Sequence, residues 1–128
     1  MSYHTIIAVG NLGRDPEMRY TPNGDAVCEL NVATNRTYTH NNERVKETTW
    51  FRVSVWGKQA EACNQYLQKG SLVLVEGELR PDKDTGGPKI FTRNDGTTGA
   101  SYEVVARTVR FLTGKSESAE PSDDGVPF

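Results

Sequence analysis

Residues 48–56 read Thr-Thr-Trp-Phe-Arg-Val-Ser-Val-Trp, and this stretch decides the fold class because its character alternates with a period of two. In a β-strand, successive side chains point to opposite faces. The residues that suit a hydrophobic core are Thr49, Phe51, Val53 and Val55. The residues on the opposite face are Thr48, Trp50, Arg52, Ser54 and Trp56. The pattern predicts a half-buried strand.

Both tryptophans of the chain fall on the second face, beside an arginine and a serine. A face that meets only water rarely carries such large rings. Flat rings beside a cation suit stacked nucleobases flanked by phosphates. They also suit contact with a second sheet or a neighbouring subunit, where aromatic side chains are enriched. This strand alone leaves both interpretations open.

Four more strands are predicted around this one, which is the third in order and runs from Arg44 to Trp56. They are indicated by β-branched and apolar runs at Thr5 to Val9, Ala26 to Arg36, Ser71 to Leu79 and Ser101 to Leu112. Short extended pieces are expected at Arg19 to Tyr20 and at Lys89 to Arg93. Asn23-Gly24 is typical of a two-residue hairpin turn.

A helix is predicted between the third and fourth strands, from Lys58 to Lys69, with Gly70 as its stop. The residues that share one helical stripe there are Ala60, Cys63, Tyr66 and Leu67. Three strands, a short helix and two strands is the order of a five-stranded Greek-key barrel of the OB type. The sequence thus predicts an all-β domain over residues 1–113, with other small β-barrels as the alternative.

Charge is unevenly distributed along the chain. The formal net charge is -2, from 15 basic and 17 acidic side chains. Residues 116–128 hold four acidic side chains and no Lys or Arg, so residues 1–115 carry 15 basic and 13 acidic groups, a net of +2. From Gly114 onward the composition turns to Ser, Glu, Pro and Asp, which predicts a disordered acidic tail over residues 114–128.

The same composition argues against several classes of protein. No apolar run approaches the roughly 18–20 residues that span a membrane, and the N-terminus does not read as a secretory signal, so we expect a soluble cytoplasmic protein. Cys28 and Cys63 lie in apolar surroundings and predict two buried free thiols. His4 and His40 have no ligand-like spacing to them, so we expect neither metal nor other cofactor.

Catalysis is the first alternative function, and the sequence contains few features that support it. There is no Ser/His/Asp set, no phosphate-binding glycine loop and no plausible acid–base pair of carboxylates. The segment Gly10 to Gly13 predicts a turn, because a dinucleotide fingerprint needs G-x-G-x-x-G between a strand and a helix. We therefore expect a non-catalytic protein.

Four segments resemble the bacterial single-stranded DNA-binding protein family, in the family's order. They are GNLGRDPEMRYTPNG (Gly10 to Gly24), WFRVSVWGKQAE (Trp50 to Glu61), YLQKGSLVLVEGELR (Tyr66 to Arg80) and DDGVPF (Asp123 to Phe128). The resemblance implies an OB fold, a homotetramer and sequence-tolerant binding of single-stranded DNA in replication, recombination and repair. It also implies a nucleoid-associated location.

Family positions that stack bases fall on Tyr38, Trp50 and Trp56, where the family commonly has Trp, Trp and Phe. A fourth family aromatic aligns with Asp84, which cannot stack, and Phe91 is our candidate to replace it. Because strict alternation would turn Tyr38 inward, we expect a bulge or strand end near Asn35 to Thr37. The candidate phosphate ligands are Arg19, Arg36, Arg44, Lys46, Arg52, Lys58 and Lys83.

The terminal peptide combines anionic and apolar groups. Its residues are Asp123, Asp124, Gly125, Val126, Pro127 and Phe128. Such a peptide suits a basic-rimmed hydrophobic pocket on a partner, and the resemblance implies replication, recombination and repair proteins as partners. A merely solubilising tail is the alternative. Two other functions stay open, namely an OB-fold adaptor that acts mainly through its tail and an RNA-binding barrel.

Assembly is indicated by strands that are apolar on both faces. These are Ile6 to Val9 and Leu72 to Val75. A lone barrel has one interior, so a second apolar face suggests another buried surface. Phe51 suits either a subunit contact or the core.

Overall fold

The structure is a computed structural model that describes residues 1–113. In that range it has one helix and seven strands: β1 (Ile6–Leu12), β2 (Glu17–Tyr20), β3 (Ala26–His40), β4 (Glu43–Trp56), α1 (Lys58–Tyr66), β5 (Leu72–Leu79), β6 (Lys89–Thr92) and β7 (Thr98–Phe111). The predicted tail, 114–128, lies outside the described residues, so the domain division stays a prediction.

Five strands close into a barrel in the order β1, β3, β4, β7, β5 and back to β1. Neighbours are antiparallel except for β4 and β7, where Phe51 to Ser54 run parallel to Tyr102 to Val105. This ring, with one helix between β4 and β5, confirms the predicted OB-type barrel. The two other strands lie outside the ring, β2 on β3 and β6 on β7.

The barrel interior is built by the alternation read from the sequence. Val53 and Val55 of β4 are fully buried, and so are Val73 and Val75 of β5. Phe51 is partly buried, packs against the core and contacts the Tyr102 ring at a centroid distance of 6.0 Å. Cys28 and Cys63 are buried free thiols, as predicted. Burial raises the pKa of Cys63 to about 12, which keeps its thiol protonated and unreactive.

The helix is shorter than predicted. It ends at Tyr66, and the next residue, Leu67, is extended and donates its backbone N–H to the Cys63 oxygen. Gly70 belongs to the turn before β5 and does not stop the helix. Leu67 is buried, but Tyr66 is exposed and its ring lies 6.4 Å from that of Phe111, so the predicted stripe was wrong there. No helix within residues 1–113 is long and apolar enough to cross a membrane.

The first strand runs past its predicted end at Val9 to Leu12. It passes so close to β3 that a Cβ on Gly10 would lie 2.2 Å from the Ala33 carbonyl oxygen. Glycine therefore permits the crossing at which β1 leaves β5 and pairs with β3. The segment predicted to be a turn is strand as far as Leu12.

Two hairpins flank β3, and the first differs from its predicted form. The β2–β3 loop spans residues 21–25, five residues in place of two, with Gly24 at a φ of 88°. The β3–β4 turn is the pair Asn41-Asn42, both with positive φ, as two-residue hairpins of type I′ require. Between these strands the register is unbroken from Val27–Trp56 to His40–Glu43, so the expected bulge or strand end at Asn35 to Thr37 is absent.

Candidate nucleic-acid interface

The outer surface of β4 carries both tryptophans, and we call Trp50, Arg52, Ser54 and Trp56 the tryptophan face. Trp50 is 51% exposed and Trp56 is 45% exposed, whereas the intervening odd-numbered side chains point inward. Six residues of strand separate the two indoles, which corresponds to about 20 Å at 3.3 Å per residue. The barrel therefore presents two accessible aromatic rings along one strand.

The centre of the tryptophan face has an ion cluster around Glu29. Nη2 of Arg52 lies 3.2 Å from both carboxylate oxygens of Glu29, and Nη1 of Arg19 lies 3.2 Å from Oε1. Burial by itself raises the pKa of Glu29, but hydrogen bonds from Arg52 and Arg19 outweigh it and hold this pKa below its ordinary value. The hydrogen bonds to Glu29 likewise raise the pKa of Arg52. Arg52, one of the candidate phosphate ligands, is thus already paired.

One end of the tryptophan face opens into a cleft of about 350 Å³. We call it the arginine cleft; its lining includes Arg14, Asn31, Trp50, Arg52, Phe91 and Arg93. Three predicted residues, Trp50, Arg52 and Phe91, meet here. Phe91 lies on β6 and is 45% exposed, and its role as the replacement for the missing aromatic stays a prediction. Asp84 lies outside, in the turn that follows Asp82.

Two rings of the cleft, Trp50 and Phe91, each pack over a glycine. A Cβ on Gly13 would lie 2.5 Å from the Trp50 indole, and a Cβ on Gly99 would lie 2.6 Å from the Phe91 ring. Gly99 is the direct cross-strand partner of Phe91. A larger residue at either position would displace the ring, so the two glycines leave room for the aromatic surfaces to lie against the backbone.

Tyr38 is placed elsewhere. Residues 35–48 of β3 and β4 pair only with each other and form a ribbon that extends from the barrel, and we call this segment the ribbon. Because its register is unbroken, Tyr38 and Arg36 lie on the ribbon face opposite Trp50, with the Arg36 guanidinium 5.0 Å from the Tyr38 ring centre. Arg44 and Lys46 lie on the same face as Trp50.

The remaining candidate cations are dispersed. Arg19 lies beside the tryptophan face, in the cross-strand row of Val27 and Trp56. Lys58 begins α1 and Lys83 lies in the β5–β6 connection; both are exposed and neither lines the arginine cleft. The partner-binding candidates Asp123 to Phe128 lie outside the described residues. Within residues 1–113, no cluster of His, Cys, Asp or Glu could hold a metal ion.

Comparison with known proteins assigns the amino-acid sequence of this chain to a family. Residues 3–112 match the sequence model of the single-strand binding protein family. The chain belongs to this family. Family membership agrees with the resemblance found in the four motifs and with the closed barrel.

Two relatives show how far the similarity extends. The chain is 40% identical over 129 aligned positions to the single-stranded DNA-binding protein of Neisseria meningitidis serogroup A, and equally to that of serogroup B. Each alignment covers 100% of this chain and 68% of the relative. The alignments therefore span the whole barrel, including β4.

Sequence reasoning missed two cations of the arginine cleft, Arg14 and Arg93. A local signal exists for the second, since Phe91-Thr92-Arg93 repeats the aromatic–x–Arg spacing of Trp50-Phe51-Arg52, which puts ring and guanidinium on one face of a strand. Arg14 has no such signal, because only the closure of the barrel brings the β1–β2 connection next to Trp50.

Proposed function

We propose that this protein binds and protects single-stranded DNA in a sequence-tolerant manner during replication, recombination and repair. The observation that carries the proposal is the pair of half-exposed indoles on the outer face of β4, in a chain of the single-strand binding protein family. Any of the four bases can stack on such a ring, and each stacked base contributes about 1–3 kcal/mol of binding free energy. Tyr38 and Phe91 supply further platforms.

Preference for single strands follows from what each ring requires. A ring stacks only on a base whose face is free, and a duplex keeps its base faces stacked inside. Lys and Arg contacts to phosphates add affinity that falls as the salt concentration rises. On single strands the logarithm of the binding constant falls against the logarithm of the salt concentration with a slope of about 0.7 per neutralised phosphate. The exposed candidates are Arg19, Arg36, Arg44, Lys46, Arg52, Lys58 and Lys83.

The test is a titration of dT oligomers with Trp56→Ala beside the parent. Loss of one stacking platform should weaken binding about 5- to 150-fold, while thermal unfolding stays unchanged because Trp56 lies on the outer face. Tyr66→Ala, a change at an equally exposed ring on α1, is the matched control and should bind like the parent. Equal affinity of parent and Trp56→Ala would contradict the proposal.

Competition separates DNA from RNA as the ligand. DNA and RNA oligomers of equal length and a DNA duplex are offered as competitors to a labelled dT oligomer. The proposal expects single-stranded DNA to compete best and the duplex poorly. Stronger competition by RNA would favour the RNA-binding barrel instead.

The terminal peptide Asp123 to Phe128 is proposed as the docking segment for replication, recombination and repair proteins. Its carboxylates suit a basic rim, and its Val-Pro-Phe end suits an apolar pocket. Deletion of Val126 to Phe128 should abolish pull-down of such partners and leave affinity for dT oligomers unchanged. Pull-down that survives the deletion refutes this role.

A homotetramer is the proposed assembly. The outward side chains of paired β1 and β5 include Ile7, Val9, Leu72 and Leu74, of which Ile7 is 59% exposed. An apolar outer face of this kind favours burial against another copy of the chain. Light scattering should give a molar mass four times that of one chain.

A further inference from the structure

The tryptophan face has little free positive charge for phosphates. Arg52 and Arg19 share the carboxylate of Glu29, whose side chain is only 12% exposed. Two more acidic residues lie in the neighbouring rows of the same face, Glu17 opposite Glu29 and Glu103 opposite Arg52. Two guanidinium groups thus stand among three carboxylates. A DNA backbone crossing this face needs cations from another part of the surface.

The arginine cleft supplies such cations next to Trp50. With the Asn31 amide assigned so that its oxygen faces the guanidinium, Arg14 donates through Nε and Nη2 to that oxygen; Asn31 is the cross-strand partner of Arg52. Arg93 donates through Nη1 to the Thr98 carbonyl oxygen at 2.8 Å, and its guanidinium lies 5.5 Å from the centre of the Phe91 ring. Within residues 1–113, neither Arg14 nor Arg93 is paired with a carboxylate.

Both guanidinium groups are held in place by neutral acceptors. A guanidinium stays protonated in either case. When it donates to an amide or carbonyl oxygen its positive charge stays uncompensated, whereas in an ion pair the carboxylate compensates that charge. The rings beside them lie close against the backbone, because Trp50 packs over Gly13 and Phe91 over Gly99. Residue 13 immediately precedes Arg14, so the β1–β2 connection positions both a ring and a cation. Little ordering is left to be done when a ligand arrives.

We propose that the arginine cleft is a nucleotide subsite in which Arg14 and Arg93 bind backbone phosphates while the base lies against Trp50 and Phe91. This inference rests on the proposed function and deepens it, since it assigns phosphate binding to two residues outside the predicted set. The occupant is a segment of single-stranded DNA, which matches a cleft that combines aromatic surfaces with uncompensated positive charge. Arg52 stays bound to Glu29 and contributes little to the salt dependence.

The test is the salt dependence of dT oligomer binding for Arg14→Gln, Arg93→Gln and the double variant. Each lost phosphate contact should reduce the slope of log affinity against log salt by about 0.7, and the double variant by about 1.4. Arg110→Gln removes an exposed arginine from β7 outside the cleft and should keep the parental slope. Arg52→Gln should change the slope less than either cleft variant.

Charge-retaining variants separate phosphate binding from a structural role. Arg14→Lys and Arg93→Lys should keep the parental slope, because lysine neutralises a phosphate equally well. If Arg14→Gln fails to fold, Arg93→Gln decides alone, since the side-chain hydrogen bonds and the ring contact of Arg93 lie within its own exposed hairpin. A parental slope in folded Arg93→Gln and in the double variant overturns the subsite while leaving DNA binding in place. A parent that binds no dT oligomer overturns the proposed function as well.

Discussion

The indole of Trp50 lies directly over Gly13, so closely that a Cβ at position 13 would come within 2.5 Å of the ring. The glycine belongs to the connection after β1, and the tryptophan belongs to β4, 37 positions further along the chain. The closed barrel brings them together, since β1 and β4 both pair with β3. A residue without a side chain thereby leaves the space in which a proposed base-stacking ring lies.

Gly13→Ala should weaken binding of dT oligomers with little loss of stability. The added methyl group would displace the end of a half-exposed side chain, which can move into solvent, so the free energy of unfolding should hardly change. The measurement is oligomer affinity together with thermal unfolding. Gly87→Ala is the control, because a Cβ there meets nothing closer than 3.7 Å. Unchanged affinity in Gly13→Ala would show that the ring position is unimportant.

Glu29→Gln should make stability less sensitive to acid. The hydrogen bonds from Arg52 and Arg19 hold the pKa of Glu29 below its ordinary value of 4.5, so this group stabilises the fold above that value. The contribution is lost as pH falls through the lowered pKa, and it amounts to about 1 kcal/mol or less because both arginines are half exposed. Thermal unfolding measured across this pH range should show that acid lowers the stability of Glu29→Gln less than it lowers the stability of the parent. The variant Glu43→Gln, at an exposed position, should lose as much stability as the parent.

Tyr38→Ala should weaken binding only for long oligomers. Tyr38 lies on the ribbon face opposite Trp50, so one strand of DNA reaches both rings only if it passes around the ribbon. A dT oligomer just long enough to cover the tryptophan face should bind Tyr38→Ala and the parent with equal affinity. An oligomer several-fold longer should bind Tyr38→Ala less tightly than it binds the parent. Trp50→Ala is the reference variant and should weaken the binding of both the short and the long oligomer. A loss with the short oligomer would contradict this placement of Tyr38.

Ile7→Lys should reduce the molar mass measured by light scattering. A lysine on the outer face of β1 would place a charge in the proposed subunit contact and split the tetramer into smaller species. Ile90→Lys is matched in exposure, 56% against 59%, but lies on β6, away from the β1–β5 face. It should keep the parental mass. A parental mass in Ile7→Lys would show that this face is not the contact.

Much of the barrel could be predicted because its determinants are local. Alternation in residues 48–56 assigned the buried and exposed sides of β4 correctly, and the change of period after Trp56 located α1. Strand ends were less predictable. Gly10 looks like a turn residue in sequence, yet it lies within β1 because β3 approaches too closely for any side chain. That approach exists only in the folded barrel.

The ion pairs of the site could not be predicted without the pairing register of β3 and β4. The pairing of Glu29 with Arg52 requires knowing that the β3–β4 turn is Asn41-Asn42, which sets Asn31 opposite Arg52 and Glu29 opposite Ser54. The sequence indicated only a polar stretch there. Two consecutive asparagines, which tolerate positive φ better than most residues, were the available signal. The position of Arg14 beside Trp50 follows from barrel closure and could not be read locally.

The most direct test of the account is the tryptophan fluorescence of Trp50→Phe and Trp56→Phe, each of which retains one indole, during titration with a dT oligomer at low salt. Stacking of bases on both rings predicts that the single remaining indole is quenched in each variant and that excess duplex of equal length quenches far less. Binding that proceeds with no quenching in either variant would contradict the claim that these rings are the platforms.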